Sequence, residues 1–309
     1  MRNKILKYVV VVFFAGLIVV EGVYAFLSYN LEQKEKIDIS VNAASAIVME
    51  ADTGRVLYAK NADRKRQPAS TVKVMTAITA IENSDLDQDV IPTRVVNMVE
   101  PTVAGLKPGV KYKMKDMLTA ILIKSANDAA IAIAEGVAGN EKNFVAMMNR
   151  KAVELGLENT SYANASGLPA YPEMSQCSTA RDLALIMKYA IRYPVILELM
   201  SQPKMVISGD DGKKINLATH NKSLFAKEGV SWGKTGYTRK ARRTFVGVDP
   251  SPKPRIIIAL MGSDDLWNDI AILQRKGIEA YEKRHTRLIN KILRWMSNNK
   301  FLKRFMLKE

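Results

Sequence analysis

Three short motifs stand in one order along the chain: Ser70-Thr71-Val72-Lys73, Ser125-Ala126-Asn127 and Lys234-Thr235-Gly236. Together they hold the parts of serine acyl transfer. A serine hydroxyl is a weak nucleophile until a base takes its proton. Residues three apart share a helix face, so Lys73 Nζ can reach Ser70 Oγ. A lysine serves as that base only if its pKa falls. Burial, the positive end of its own helix and a second cation all push that way, and Lys234 is the candidate second cation. Ser125 offers a hydroxyl that can relay a proton, and Asn127 an amide that can hold a peptide group. Lys234 and Thr235 suit a carboxylate. Gly236 lets another backbone approach, and a peptide could pair with the strand edge there. The backbone N–H of Tyr237, with that of Ser70, could form an oxyanion hole.

Each motif is weak alone. Ser-x-x-Lys recurs at Ser201, Ser231 and Ser297, and Ser-x-Asn at Ser28, Ser40 and Ser297. Context separates them. Ser70 follows Pro68-Ala69 and heads an apolar helix, whereas Pro203 spoils a helix after Ser201. Ser231 lies in the strand leading to Lys234, and Ser297 in a basic tail. Ser70, Ser125 and Lys234 are the set that occurs in order and in context.

The elements that must position them follow from pattern. Ala46 to Met49, a turn at Asp52-Thr53-Gly54 and Val56 to Tyr58 read as a β-hairpin. Pro68-Ala69-Ser70 opens a helix through Ile81. Lys115 to Glu135 reads as one mostly buried helix, apolar on more than one face. Asn140 caps a helix that ends at Gly156. Ser178-Thr179 opens another that ends near Pro194. A hairpin surrounds Gly209 to Gly212. Strands follow near 231–238, 243–249 and 255–261, and a helix from Leu266 to about Lys283 closes the domain. Strands at both ends with helices between them predict an α+β domain whose sheet uses both chain ends.

The chain has 309 residues and a net charge of +15. Residues 283–309 hold nine Lys or Arg and one acid. Leu288, Ile292, Trp295 and Met296 recur there at helical spacing, with Arg287, Lys291 and Arg294 between them. This pattern suits an amphipathic helix on an anionic membrane surface. Basic residues before the apolar run Tyr8–Val20, and Val23-Tyr24-Ala25 after it, read as a signal peptide or an uncleaved anchor over 1–30. Either way the rest lies outside the cytoplasm, which argues against a nucleic-acid partner. One cysteine, Cys177, excludes an intrachain disulfide. His220 and His285 are the two histidines, neither in a catalytic motif, and no His/Cys cluster has metal spacing.

Longer stretches carry a resemblance. IVMEADTGRVLYAKNADRKRQPASTVKVMTAI, LKPGVKYKMKDMLTAILIKSANDAAIAIAEGVAG, MNRKAVELGLENTSYANASGLP, STARDLALI, HNKSLF and RIIIALMGSDDLWNDIAIL follow in order. In these the chain resembles the low-molecular-mass penicillin-binding proteins, the serine-type D-alanyl-D-alanine carboxypeptidases. The resemblance implies a β-lactamase/transpeptidase-like fold: an antiparallel sheet, helices on both faces and a helical subdomain. It implies Ser70 as the acylated nucleophile, Lys73 as its base and Ser125 as proton shuttle. It places the donor peptide on Asn127 and the terminal carboxylate on Lys234 and Thr235. The implied substrates are peptidoglycan stem peptides ending in D-Ala-D-Ala, with β-lactams as inhibitors and no cofactor. The expected layout is 1–30 signal or anchor, 31–42 linker, 43–283 catalytic domain and 284–309 membrane-associating tail.

The chain departs from the family at several points. Ala241-Arg242-Arg243 stands where many members have Ala-Gly. Asp264-Asp265-Leu266-Trp267 stands where many carry a carboxylate-holding Arg, leaving Arg239, Arg242 and Arg243 as candidates to replace it. The alternatives are a D,D-endopeptidase, a β-lactamase or a non-catalytic penicillin-binding sensor of the same fold. No Glu precedes an Asn by four residues, which disfavours a class A β-lactamase.

Overall fold

A computed structural model describes residues 40–298 apart from 173, 174, 228, 230 and 252–254. The expected signal or anchor, most of the linker and residues 299–309 of the tail lie outside the described residues. Ile39–Gly277 forms one compact unit, and the chain from Ile278 belongs to a second.

The first unit begins with the expected hairpin, β1 (Ser45–Glu50) and β2 (Val56–Lys60), turned through Gly54 at φ +76°. A 3₁₀ turn at Ala69–Val72 leads into α1 (Lys73–Asn83). A two-residue ribbon, β3 (Asp89–Val90) and β4 (Tyr112–Lys113), precedes α2 (Met114–Thr119). A π-helical turn at Ala120–Lys124 separates α2 from α3 (Asn127–Ala138). Then come α4 (Glu141–Glu154), α5 (Ala180–Ala190) and α6 (Pro194–Met200). A hairpin of β5 (Lys204–Ser208) and β6 (Lys214–Ala218) follows. The strands β7 (Trp232–Thr238), β8 (Arg242–Val248) and β9 (Ile256–Ser263) precede α7 (Leu266–Asn298).

The main sheet has the order β2-β1-β9-β8-β7, antiparallel throughout. The two chain ends meet where β1 pairs with β9, from Ser45 opposite Met261 to Glu50 opposite Ile256. Every residue of β9 is buried, as a central strand covered on both faces requires. Alternate side chains serve different neighbours. Ile47, Met49, Ile257 and Ala259 join the core shared with the helices, including Leu183 and Met187 of α5. Val48 points the other way, toward the start of α7: a Cβ on Gly277 would lie 2.6 Å from Val48 Cγ1. Helices therefore cover both faces.

Local chemistry sets several boundaries. Asn140 Oδ1 accepts from Asn143 N at 2.9 Å and starts α4. Thr179 Oγ1 accepts from Asp182 N at 3.0 Å and starts α5. Pro194 takes the first position of α6, a helix the sequence reading does not place, since it ends the preceding helix near Pro194 and finds none after it.

Two expected helices differ from the structure. The single helix over Lys115–Glu135 is broken at Ser125, which is left-handed at φ +63°, and at the extended Ala126. No Gly or Pro marks the break. Hydrogen bonds hold it instead: Asn127 N donates across to Thr102 O at 2.7 Å, and Ala126 N closes the π-helical turn by donating to Ala120 O at 3.1 Å. The closing helix runs to Asn298 rather than stopping near Lys283, because no Gly cap or Pro follows Lys283. Among the described residues no helix is long and apolar enough to cross a membrane.

Asp269, fully buried in α7, fastens the strand entry to the end of the sheet. Its carboxylate accepts from Asn42 N at 2.7 Å, Ala43 N at 2.8 Å and Ser263 Oγ at 2.7 Å. Asp269→Ala leaves three donors without their acceptor. Denaturant unfolding of that variant is expected to show a loss of about 3 kcal/mol relative to the parent. A loss within experimental error would refute this role.

Candidate active site

Ser70 sits in the 3₁₀ turn ahead of α1, and tertiary contacts impose the shape of that turn. Pro68 O accepts from Thr71 Oγ1 at 2.7 Å and from Thr244 Oγ1 of β8 at 2.9 Å. Ala69 takes a left-handed conformation at φ +49°, uncommon without glycine. Two glycines let neighbouring backbone come close. A Cβ on Gly236 of β7 would lie 2.8 Å from Ser70 N and 2.5 Å from Thr244 Oγ1. Gly167, at φ +84°, approaches the same turn from the other side, where a Cβ would overlap Ala69 O. The nucleophile turn is thus held between an edge strand and a loop that approach to backbone contact.

Lys73 follows one helical turn later and is fully buried. Its Nζ donates to Ser70 Oγ at 3.1 Å, to Asn127 Oδ1 at 2.7 Å and to Ser166 O. All three acceptors are neutral oxygens. Burial holds the Lys73 pKa well below the usual lysine range, the Lys234 charge lowers it further, and Asp128 opposes. Asp128 is itself occupied by backbone donors: Ala104 N at 2.8 Å, Gly105 N at 2.8 Å, Leu106 N at 3.1 Å and Ala129 N at 2.9 Å. These bonds also tie the 100–106 loop to α3.

Lys234 is 1% exposed, and its Nζ donates to Thr235 O at 2.7 Å. Burial lowers its pKa to about 7. Asn127 completes the link between motifs: its Oδ1 faces Lys73 and its Nδ2 donates to Glu100 O at 2.9 Å. Ser70, Ser125, Thr235, Gly236 and Tyr237 open onto one cleft of about 360 Å³. Five of the eight residues singled out in the sequence thus line one cleft, and the other three, Lys73, Asn127 and Lys234, are buried outside its lining, with Lys73 bonded to Ser70 and Asn127. Because β7 is the outermost strand of the sheet, a ligand can lie along it.

Motif reading missed several neighbours. Ser166 contributes only a backbone carbonyl, which no side-chain pattern announces. His220 lines the cleft, and its pKa is lowered by burial and by the charges of Lys234, Lys124 and Lys73. Its signal was the sequence HNKSLF ahead of the third motif. Trp267 and Arg243 also line the cleft. Of the three basic candidates, Arg243 alone does so; Arg242 pairs with Asp264 Oδ1, and Arg239 is exposed and outside the lining. Among the described residues no cluster of three His, Cys, Asp or Glu could hold a metal ion.

Comparison with known proteins places this geometry. Residues 31–265 match the family described as D-alanyl-D-alanine carboxypeptidase. The chain is 34% identical over 237 residues to D-alanyl-D-alanine carboxypeptidase DacB2 of Mycobacterium tuberculosis, covering 75% of this chain and 80% of that one. It is 34% identical over 235 residues to DacF of Bacillus subtilis, covering 74% of this chain but 60% of that longer relative. A crystal structure of a D-alanyl-D-alanine carboxypeptidase from M. tuberculosis superposes with a TM-score of 0.74 at 32% identity, covering 79% of this chain and 94% of that one. A mutant DD-transpeptidase of Streptomyces K15 shares the fold, with a TM-score of 0.71 at 24% identity, over 78% of this chain and 99% of that one. With a family match over most of its length and its motifs in one cleft, the chain belongs to the D-alanyl-D-alanine carboxypeptidase family of serine peptidases.

Proposed function

We propose that this chain removes the terminal D-alanine of peptidoglycan stem peptides ending in D-Ala-D-Ala, through an acyl-enzyme on Ser70 that β-lactams also form. The observation that carries this reading is Lys73 Nζ, fully buried among neutral acceptors and 3.1 Å from Ser70 Oγ. Ser70 Oγ attacks the carbonyl carbon of the penultimate D-Ala, and its proton passes to Lys73. The backbone N–H groups of Ser70 and Tyr237 receive the oxyanion. The C–N bond then breaks, and the departing amine takes up the proton with Ser125 as relay. Water cleaves the ester and restores Ser70. Asn127 orients the donor peptide, Lys234 and Thr235 engage the terminal carboxylate, and Gly236 keeps β7 against the nucleophile turn. The scheme needs no cofactor.

The catalytic domain spans 43–283 and works on the outer face of the cytoplasmic membrane. The basic run and apolar stretch within residues 1–30 support export. The basic amphipathic spacing of 284–309, with α7 helical to Asn298, supports a tail lying on an anionic membrane surface.

The direct test is D-Ala release from a stem pentapeptide by the purified chain beside Ser70→Ala. The parent is expected to release D-Ala and the variant none. Equal release by both would overturn Ser70 as nucleophile. Release by neither, with the parent still labelled by penicillin, would overturn the substrate.

A second prediction concerns pH. Lys73 must be neutral to accept the Ser70 proton. The protonated Lys234 nearby lowers the Lys73 pKa, so removing that charge lets it rise. Lys234→Met is therefore expected to move the acidic limb of the pH profile for β-lactam acylation to higher pH. The midpoint is the readout, because weaker carboxylate binding changes the height of the profile as well. An unmoved midpoint would contradict the coupling.

A further inference from the structure

We propose that Asn221 and Ser223 close the free edge of β7 ahead of Thr235, so that the cleft admits one residue beyond the scissile carbonyl and no longer chain. The inference rests on the acyl-transfer reading above and names the residues that confine cleavage to the end of a peptide.

β7 is the outermost strand of its sheet, so one of its edges is open to pairing. Successive residues of a strand turn their backbone groups to opposite edges, hence residues 231, 233, 235 and 237 share one edge. Ser231 shows that this is the free edge, because its backbone groups bond to side chains from outside the sheet. A substrate with its reacting carbonyl at Tyr237 N and its terminal carboxylate at Thr235 runs antiparallel to β7. A residue added after that carboxylate continues past Gly233 toward Ser231. That path is shut. Gly233 and Lys234 are buried, and from β7 the cleft lining takes Thr235, Gly236 and Tyr237 but none of the three residues before them.

The segment between β6 and β7 shuts it. Asn221 caps a 3₁₀ turn at Lys222–Phe225, its Oδ1 accepting from Ser223 N at 3.1 Å. Its Nδ2 donates to Ser231 O at 2.6 Å. Ser231 N donates to Ser223 Oγ at 3.2 Å. Ser223 Oγ also stands 2.7 Å from Asn221 Oδ1 and 3.0 Å from Ser231 O, and its one proton can serve either. Two side chains thus take the place that an added strand would occupy at Ser231. All three residues are buried, where a backbone group left without these partners is costly, so the plug is not easily displaced. His220, the residue before Asn221, lines the cleft, so one segment forms both the plug and part of the wall. The Ser231-x-x-Lys234 match gains a role by this. With its side chain fully buried, Ser231 acts through its backbone and not as a second nucleophile.

The test uses the full chain and the variants Asn221→Ala, Ser223→Ala and Thr179→Ala. Two ligand pairs differ only by one added glycine: a stem peptide ending in D-Ala-D-Ala or in D-Ala-D-Ala-Gly, and benzylpenicillin or the amide of its carboxylate with glycine. Peptide cleavage is scored at the same D-Ala-D-Ala bond. The parent is expected to prefer the shorter member of each pair. Asn221→Ala and Ser223→Ala are each expected to raise the long-to-short ratio of kcat/KM, and of penicillin acylation rates, by about 10-fold, the factor carried by one or two hydrogen bonds. Thr179→Ala, which removes the cap of α5 and lowers stability away from β7, keeps both ratios at the parent value. Amide exchange in the parent needs no variant: Ser231 N–H is expected to be protected like the amides of β7 that pair with β8. Equal parent rates within a pair, ratios unmoved in both plug variants, an equal rise in Thr179→Ala, or an unprotected Ser231 amide would overturn the proposal. If the parent cleaves neither peptide yet is acylated by benzylpenicillin, the carboxypeptidase reading fails while the penicillin pair still decides the plug. If the parent reacts with none of the four ligands, both readings fall.

Discussion

The site depends on a lysine side chain buried without a counter-ion. Moving a lysine charge out of water costs on the order of several kcal/mol even after relaxation. Lys73 meets only neutral acceptors in its pocket: a hydroxyl, a side-chain amide oxygen and a backbone carbonyl. The acid that acts on it, Asp128, has both oxygens occupied by backbone N–H groups. A second buried lysine, Lys234, adds repulsion. Burial and the Lys234 charge favour the neutral amine, the form able to take a proton from Ser70 Oγ, and Asp128 opposes them. The acceptors that steer the amine also keep it within reach of the serine.

The fold brings the two lysines together from distant parts of the chain. Lys73 opens a helix whose first eight residues are buried, so it cannot turn to solvent. Lys234 enters from the outermost strand of a sheet that is closed by pairing β1 with β9. The second motif arrives because a helix is interrupted. An unbroken helix through Ser125 would keep that residue in a regular turn. Its left-handed backbone instead brings it to the cleft, and a new helix starts at Asn127. The glycines at 167 and 236 set how closely these pieces approach.

The sequence displayed much of this. The opening hairpin, the caps at Asn140 and Thr179 and the three closing strands follow from alternation and capping chemistry. The eight candidate residues are picked out by motif order and context, with their roles implied by family resemblance. What it did not display is held by tertiary contact. The break at Ser125 lies in an apolar run with no glycine or proline, and loop carbonyls and the Asp128 carboxylate sustain it. Ser166 acts through its backbone. Which of Arg239, Arg242 and Arg243 lines the cleft was not legible, because the Arg243 side chain is placed beside a bulge at Gly262 and bonds to Asp264, which belong to another strand and its turn.

The most direct measurement of the central claim is the protonation state of Lys73 itself. Lysine side chains labelled with ¹³C at Cε can be titrated by NMR in the intact chain, with Lys73 assigned through Lys73→Arg. The account predicts that the Lys73 resonance titrates well below 10.5, the ordinary lysine value, while exposed lysines titrate near it. A Lys73 that stays protonated up to 10.5 would contradict it, because an ammonium has no lone pair with which to take the proton from Ser70.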